Sequence, residues 1–208
     1  MEIIGVAAMY EVFSEAAEEI LRGISEAIRR LDPSQIGGML EALLLARSEG
    51  RKILVVGAGR SGLVGKAFAM RLMHLGFNIY VMGETITPAF GDGDLVFVVS
   101  GSGSTTLPLT VAKMAKSLGA KVLAVTSHPT SQLGMIADLV VNVPGREMMA
   151  REDEYYSRQL LGDHEPLAPM GTMFEDSCMV FLDSIIAELI SRTGISEEAM
   201  KSKHVTIE

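Results

Sequence analysis

Tryptophan is absent from this 208-residue chain, cysteine occurs once, and aromatic side chains make up only 5% of it. The lone cysteine, Cys178, excludes an intramolecular disulfide. Its apolar neighbours Met173, Met179, Val180 and Phe181 mark it as a buried, inert thiol. Such a chain is expected in a reducing compartment, the cytoplasm. No apolar run approaches the roughly 18 residues of a membrane helix. The N-terminus lacks a basic stretch leading into an apolar one, so no secretory leader is expected. Positive charge is in deficit too: 18 Lys and Arg stand against 26 Asp and Glu, a net charge of -8. A nucleic-acid surface needs a basic stripe, and none is present. The deficit leaves an anionic ligand open, because backbone N–H groups and hydroxyls hold phosphate without net positive charge. No Cys/His spacing suggests a zinc site, and no metal is expected.

What the chain has is aliphatic. Hydrophobic residues make up 48% and charged residues 21%, which supports a buried globular core filled by Ala, Val, Ile, Leu and 14 Met. Phe13, Ala17, Ile20, Leu21, Ile24 and Ile28 recur at helical spacing between about Tyr10 and Arg30. Asp32-Pro33 supplies an N-cap and a first helical residue for a second helix carrying Ile36, Met39, Leu40, Leu43 and Leu44, which Gly50 stops. The period then changes. Short apolar runs at Lys52–Gly57, Asn78–Met82, Leu95–Val99, Lys121–Val125 and Leu139–Val143 read as strands buried on both faces. Helical patterns lie between them, notably Leu63–Leu75 and Thr106–Leu118, with Gly76 and Gly119 just past their ends. The expected fold is α/β: a five-stranded, parallel, doubly wound sheet over about 51–143, flanked by helices, with an N-terminal helical extension over 1–50. A charged, irregular segment (144–170) and a final helix with a tail (171–208) complete a single expected domain. A long loop of this kind is a common place for an active-site lid.

Two loops carry chemistry. Gly57-Ala58-Gly59-Arg60-Ser61-Gly62 follows the first strand and opens a helix. Its glycines allow a sharp turn and close backbone approach, and the helix start offers free N–H groups and a positive dipole end. Read literally it is the G-x-G-x-x-G fingerprint, with Glu84 near where a ribose-binding acid would sit. The second loop, Ser100-Gly101-Ser102-Gly103-Ser104-Thr105, puts four hydroxyls after the third strand, again at a helix start. A dinucleotide domain has no need of it, whereas a phosphate held by hydroxyls and a helix N-terminus explains it directly. Both loops lie at strand C-terminal ends, where open α/β sheets bind ligands. A phosphosugar between them fits better than a dinucleotide. Gly59, Arg60, Ser61, Ser100, Ser102 and Thr105 are the expected phosphate-binding residues.

These two loops resemble the paired phosphosugar loops of sugar isomerase (SIS) domains. Within that group the chain is most similar to the 6-phospho-3-hexuloisomerases, through Ala67–Leu72, Val81–Thr85, Gly171–Glu175 and the tail Lys203–Glu208. The second loop departs from the family pattern, with Ser104 where a Glu is usual. The loop over 146–169 is long for the family. The resemblance implies interconversion of D-arabino-hex-3-ulose 6-phosphate and D-fructose 6-phosphate without a cofactor. It further implies a homo-oligomer, usually a tetramer, with a hexulose-phosphate synthase as functional partner in formaldehyde fixation or pentose phosphate supply. Sister isomerases acting on arabinose 5-phosphate or sedoheptulose 7-phosphate share the loops, and non-catalytic phosphosugar-binding modules share the fold.

Moving a ketone from C3 to C2 requires a base for the C2 proton, stabilisation of an enediolate oxygen and a grip on the phosphate. Glu175, near a helix start among apolar neighbours, is the expected base and matches the family's catalytic glutamate. His204 is expected as a proton shuttle or hydroxyl ligand, provided the tail folds into a site. His74, His128 and His164 are expected to be structural or exposed.

Overall fold

A computed structural model describes residues 10–145 and 167–195. Helix α1 (Glu11–Arg29) and helix α2 (Pro33–Ser48) open it. Asp32 caps α2, its carboxylate accepting from the Ser34 N–H at 2.8 Å, and Pro33 takes the first turn. Strand β1 (Lys52–Gly57), helix α3 (Gly59–His74), strand β2 (Asn78–Val81), strand β3 (Leu95–Val99), helix α4 (Thr106–Ser117) and strand β4 (Lys121–Thr126) follow. Helix α5 (Gln132–Ile136), strand β5 (Leu139–Asn142) and the long helix α6 (Thr172–Thr193) complete the described elements. The five strands fall on the five apolar runs. The short α5 has too few residues to show a period and was not legible in the sequence.

All strand pairs are parallel, in the order β2-β1-β3-β4-β5. Strand alternation sorts the core into two layers. Ile53, Val55, Leu95, Phe97, Val99, Leu123 and Val125 face α2, α3 and α6. Leu54, Val56, Val96, Val98, Val122 and Ala124 face α4 and α5. Phe97 is fully buried, with its ring 5.0 Å from that of Phe68 on α3. Burying each such side chain contributes roughly 1.5–3 kcal/mol. Helix α1 packs on α6 through Gly23 and Ala27 but leaves Val12, Phe13 and Leu21 exposed. Its predicted apolar face is therefore only partly covered within the chain.

The link from β2 to β3 contains no helix and crosses β1 as irregular backbone over 82–94. Asp94 ties its end down. Its carboxylate accepts from the Lys52 and Gly91 N–H groups, each at 3.0 Å, and lies 3.2 Å from the Lys52 ammonium. Burial alone would raise the Asp94 carboxyl, but these donors and the cation outweigh it and hold it below the ordinary carboxylate range. A carboxyl whose folded pKa is depressed stabilises the fold above its unfolded pKa of about 3.9, and that stability is lost as pH falls through the folded value. An Asp94→Asn variant should thus be less stable than the parent at neutral pH. Its urea midpoint should fall less steeply than the parent's below about pH 4. Parallel midpoint-against-pH curves for the two would show that Asp94 carries none of the acid sensitivity.

The strand order reverses between β1 and β3, and the loops leaving both strands open into the crevice there. Gly57 is paired with Val99 at the strand ends, so the two Gly/Ser loops leave the sheet side by side.

Candidate active site

The first loop is a tight strand-to-helix turn. A Cβ on Gly57 would lie 2.8 Å from the Cα of Gly62, so these two glycines let β1 and α3 pack backbone to backbone. Gly59 has φ +56° and open space where a Cβ would be, which leaves its backbone accessible to a ligand. Ser61 is buried in the first turn of α3. Glu84, which a dinucleotide's ribose would require, is exposed and lies 3.7 Å from the Lys66 ammonium.

In the second loop three hydroxyls converge. The Ser104 N–H and hydroxyl both donate to Ser102 Oγ, at 3.3 and 3.2 Å, and Thr105 Oγ1 lies 3.3 Å from the same atom. With both lone pairs of Ser102 engaged, its proton must point outward, to Thr105 or to a ligand. The loop therefore presents donors at the N-terminus of α4, the polarity an anion requires. Ser104, standing where the resembled family has Glu, supplies two of these contacts and adds no negative charge. Ser100 is buried at the root of the loop, and its N–H donates to Val125 O at 3.0 Å.

The end of β4 holds this loop in shape. The Gly101 carbonyl accepts from the Ser127 N–H (3.1 Å), the Ser127 hydroxyl (2.9 Å) and the Thr126 hydroxyl (3.0 Å). His128 Nδ1 lies 3.0 Å from the same oxygen and 3.2 Å from Ser127 Oγ. Sequence reasoning missed Thr126 and Ser127, while His128, expected to be structural or exposed, sits against the Gly101 carbonyl. A Thr-Ser-His run directly after a buried strand was the available signal, since strand C-terminal ends line the crevice.

Helix α6 brings the third component. Phe174 packs beneath the second loop, 3.0 Å from where a Cβ on Gly101 would lie. Glu175, the next residue, points to the first loop. Its Oε2 accepts from Arg60 Nε at 2.7 Å, and Arg60 Nη2 lies 3.2 Å from Asp176 Oδ1. The Glu175 side chain is 13% exposed and that of Arg60 56%. Hydrogen bonding to Glu175, followed by its charge, raises the Arg60 guanidinium above its already high range, so it is a permanent cation. Burial, followed by the Glu175 charge, pushes the Cys178 thiol well up, in keeping with an inert thiol. The fold therefore brings Gly59, Arg60, Ser61, Ser100, Ser102, Thr105 and Glu175 to one end of the sheet. It also pairs Arg60 with the Glu175 and Asp176 carboxylates. His204 and the 146–166 part of the loop lie outside the described residues.

The SIS domain profile matches residues 46–150, which span both loops. A Bacillus subtilis protein named 3-hexulose-6-phosphate isomerase is 35% identical over 195 residues, covering 94% of this chain and 98% of its own. A Methylomonas aminofaciens protein of the same name is 40% identical over 166 residues, covering 80% and 85%. The crystal structure of a Methanococcus jannaschii protein, from which a 3-hexulose-6-phosphate isomerase function was inferred, superposes with a TM-score of 0.72 at 32% identity, covering 95% of this chain and 99% of that one. With two adjacent Ser/Gly loops at the strand switch point, a glutamate at the start of the helix that touches both, and relatives matching along nearly its whole length, this chain belongs to the SIS domain family.

Proposed function

We propose that this protein interconverts D-arabino-hex-3-ulose 6-phosphate and D-fructose 6-phosphate. The observation that carries the reading is the seat of Glu175: consecutive residues of α6 touch the two loops, so a carboxylate stands at the junction of two donor-rich turns. Glu175 removes the C2 proton, the electrons form a C2–C3 enediolate with its charge on O3, the O2 proton passes to O3, and return of the proton from Glu175 to C3 leaves the ketone at C2. Gly59, Ser61, Ser100, Ser102 and Thr105 form the cradle for the phosphosugar, with the phosphate at the donor-rich second loop. The reaction exchanges one proton between adjacent carbons and needs no redox cofactor. His204 is the candidate shuttle from the tail.

The relatives named above carry the activity in their names, and the site fits that chemistry. A homo-oligomer, in the tetrameric form implied by the resemblance, is part of the proposal, supported by the exposed Val12, Phe13 and Leu21 of α1. So are a hexulose-phosphate synthase as functional partner and a cytoplasmic location.

The test is a coupled assay. Hex-3-ulose 6-phosphate is made in place from formaldehyde and ribulose 5-phosphate by the synthase, and fructose 6-phosphate is followed. Arabinose 5-phosphate and sedoheptulose 7-phosphate are offered in parallel. Turnover of the hexulose phosphate alone is expected. Turnover of a pentose or heptulose phosphate instead would make the chain a sister isomerase, and binding without turnover would make it a phosphosugar-binding module.

A further inference from the structure

Arg60 reaches from the first turn of α3 to two carboxylates in the first turn of α6, 115 and 116 positions along the chain. We propose that Arg60 acts at the reacting carbons, as the cation that stabilises the enediolate oxygen beside Glu175, and that Asp176 positions it there. This inference rests on the isomerase reading above.

The geometry carries it. Arg60 Nε is 2.7 Å from Oε2 of Glu175, so the guanidinium stands at the same end of the substrate as the base. The oxygens on C2 and C3 are each one bond from the reacting carbons, whereas phosphorus is six bonds from C2. A group in contact with the base is within reach of those oxygens, while the phosphate lies at the far end of the sugar, on the hydroxyls of the second loop. The guanidinium has five N–H donors. One is directed at Glu175 and one at Asp176, which leaves the rest of the fork for a ligand oxygen. The side chain is also 56% exposed, on the open side of a nearly buried base.

Charge flow gives the cation its work. Before proton transfer the negative charge is on Glu175, and after it the charge is on the enediolate oxygen. A fixed cation touching both places faces that charge throughout and needs no rearrangement, the condition for electrostatic stabilisation of the intermediate. The same pairing raises the Arg60 guanidinium, so it stabilises charge and does not deliver a proton. Asp176, at 3.2 Å, ties down the second nitrogen and fixes the fork's orientation. It makes no other claim on the chemistry.

The experiment separates the reacting end from the phosphate end. The parent is first assayed on hex-3-ulose 6-phosphate. Then kcat, KM and the calorimetric affinity for a hexitol 6-phosphate, which carries the phosphate but no carbonyl, are compared in Arg60→Gln, Arg60→Lys, Asp176→Asn and Ser102→Ala. Arg60→Gln should lower kcat about 10²–10³-fold, with hexitol phosphate affinity held within about threefold. Arg60→Lys, which keeps the charge but not the fork, should recover part of kcat. Asp176→Asn should lower kcat by a smaller factor at unchanged KM, and Ser102→Ala should show the opposite split, weakening hexitol phosphate binding. If Arg60→Gln and Arg60→Lys weaken hexitol phosphate as much as Ser102→Ala does, Arg60 is a phosphate ligand and the inference is overturned. An inactive parent would overturn the isomerase reading itself, and this is seen before any variant is made.

Discussion

A Glu175→Gln variant should fold like the parent, bind phosphosugar, and lose about 10²–10⁴-fold in kcat, the usual contribution of a positioned general base. Gln has nearly the shape of Glu and still offers an oxygen to Arg60, so the bridge between α3 and α6 survives in neutral form. What disappears is the capacity to accept a proton. The carboxylate sits where few alternatives exist: its N–H continues the helix to the Gly171 carbonyl at 3.1 Å, and its side chain is almost enclosed. Arg60 pairs with it directly, and its charge acts on the buried Cys178 thiol, which burial keeps protonated. Asp176 is more exposed and already engaged by Arg60. Steady-state kinetics on hex-3-ulose 6-phosphate, with circular dichroism as the folding control, check this. Full activity in a folded Glu175→Gln protein would move the base elsewhere, with His204 the next residue to replace.

Gly103→Ala should damage the second loop and the helix behind it together. Gly103 has φ +59°, a region that costs a side-chain-bearing residue about 1–3 kcal/mol. A Cβ there would also fall 1.9 Å from Ser131 Oγ and 2.7 Å from Ser131 Cβ, so one of the two residues must move. Ser131 is the N-cap of α5, its hydroxyl accepting from the Gly134 N–H at 3.2 Å, and dislodging a cap costs about another 1 kcal/mol. The Gly103 carbonyl meanwhile accepts from the Leu133 N–H at 3.0 Å, which couples any shift of α5 to the loop. Displaced hydroxyls at Ser102 and Thr105 should raise KM about ten- to a hundredfold, the loss of one or two hydrogen bonds to a charged group. Gly50→Ala is the control. Gly50 has φ +65° but open space around it and lies at the opposite end of β1 from the loops. It should lose stability through strain alone and keep its KM. A Gly103→Ala protein with unchanged KM would mean that the second loop does not hold the phosphate.

The elements of this fold were readable because their signals are local. A parallel strand buried on both faces must be a short continuous apolar run, and Lys52–Gly57, Leu95–Val99 and Lys121–Thr126 are such runs. The caps were equally local: Asp32 takes the Ser34 N–H, and Gly76 and Gly119 adopt the left-handed φ values of 79° and 81° expected just past helix ends. The two loops could be read as ligand sites because Gly and Ser clusters directly between a strand and a helix have a restricted set of uses. The irregular β2–β3 link and α5 show where local reading stops. The first joins two parallel strands with no helix between them, and the second is too short to carry a period.

The sequence by itself therefore determined the five strands, the longer helices and the residue types offered at the ends of β1 and β3. Only the tertiary structure decided which of those residues meet. Arg60 finds Glu175 and Asp176 across 115 and 116 positions, and Thr126, Ser127 and His128 find the Gly101 carbonyl because β3 and β4 are neighbours. Periodicity records how a segment lies against water and core. It holds no record of strand order or of where a helix from the far end of the chain comes to rest. Those depend on the closest packing of all the faces at once, and here that packing puts a carboxylate and a cation at the junction of the two loops.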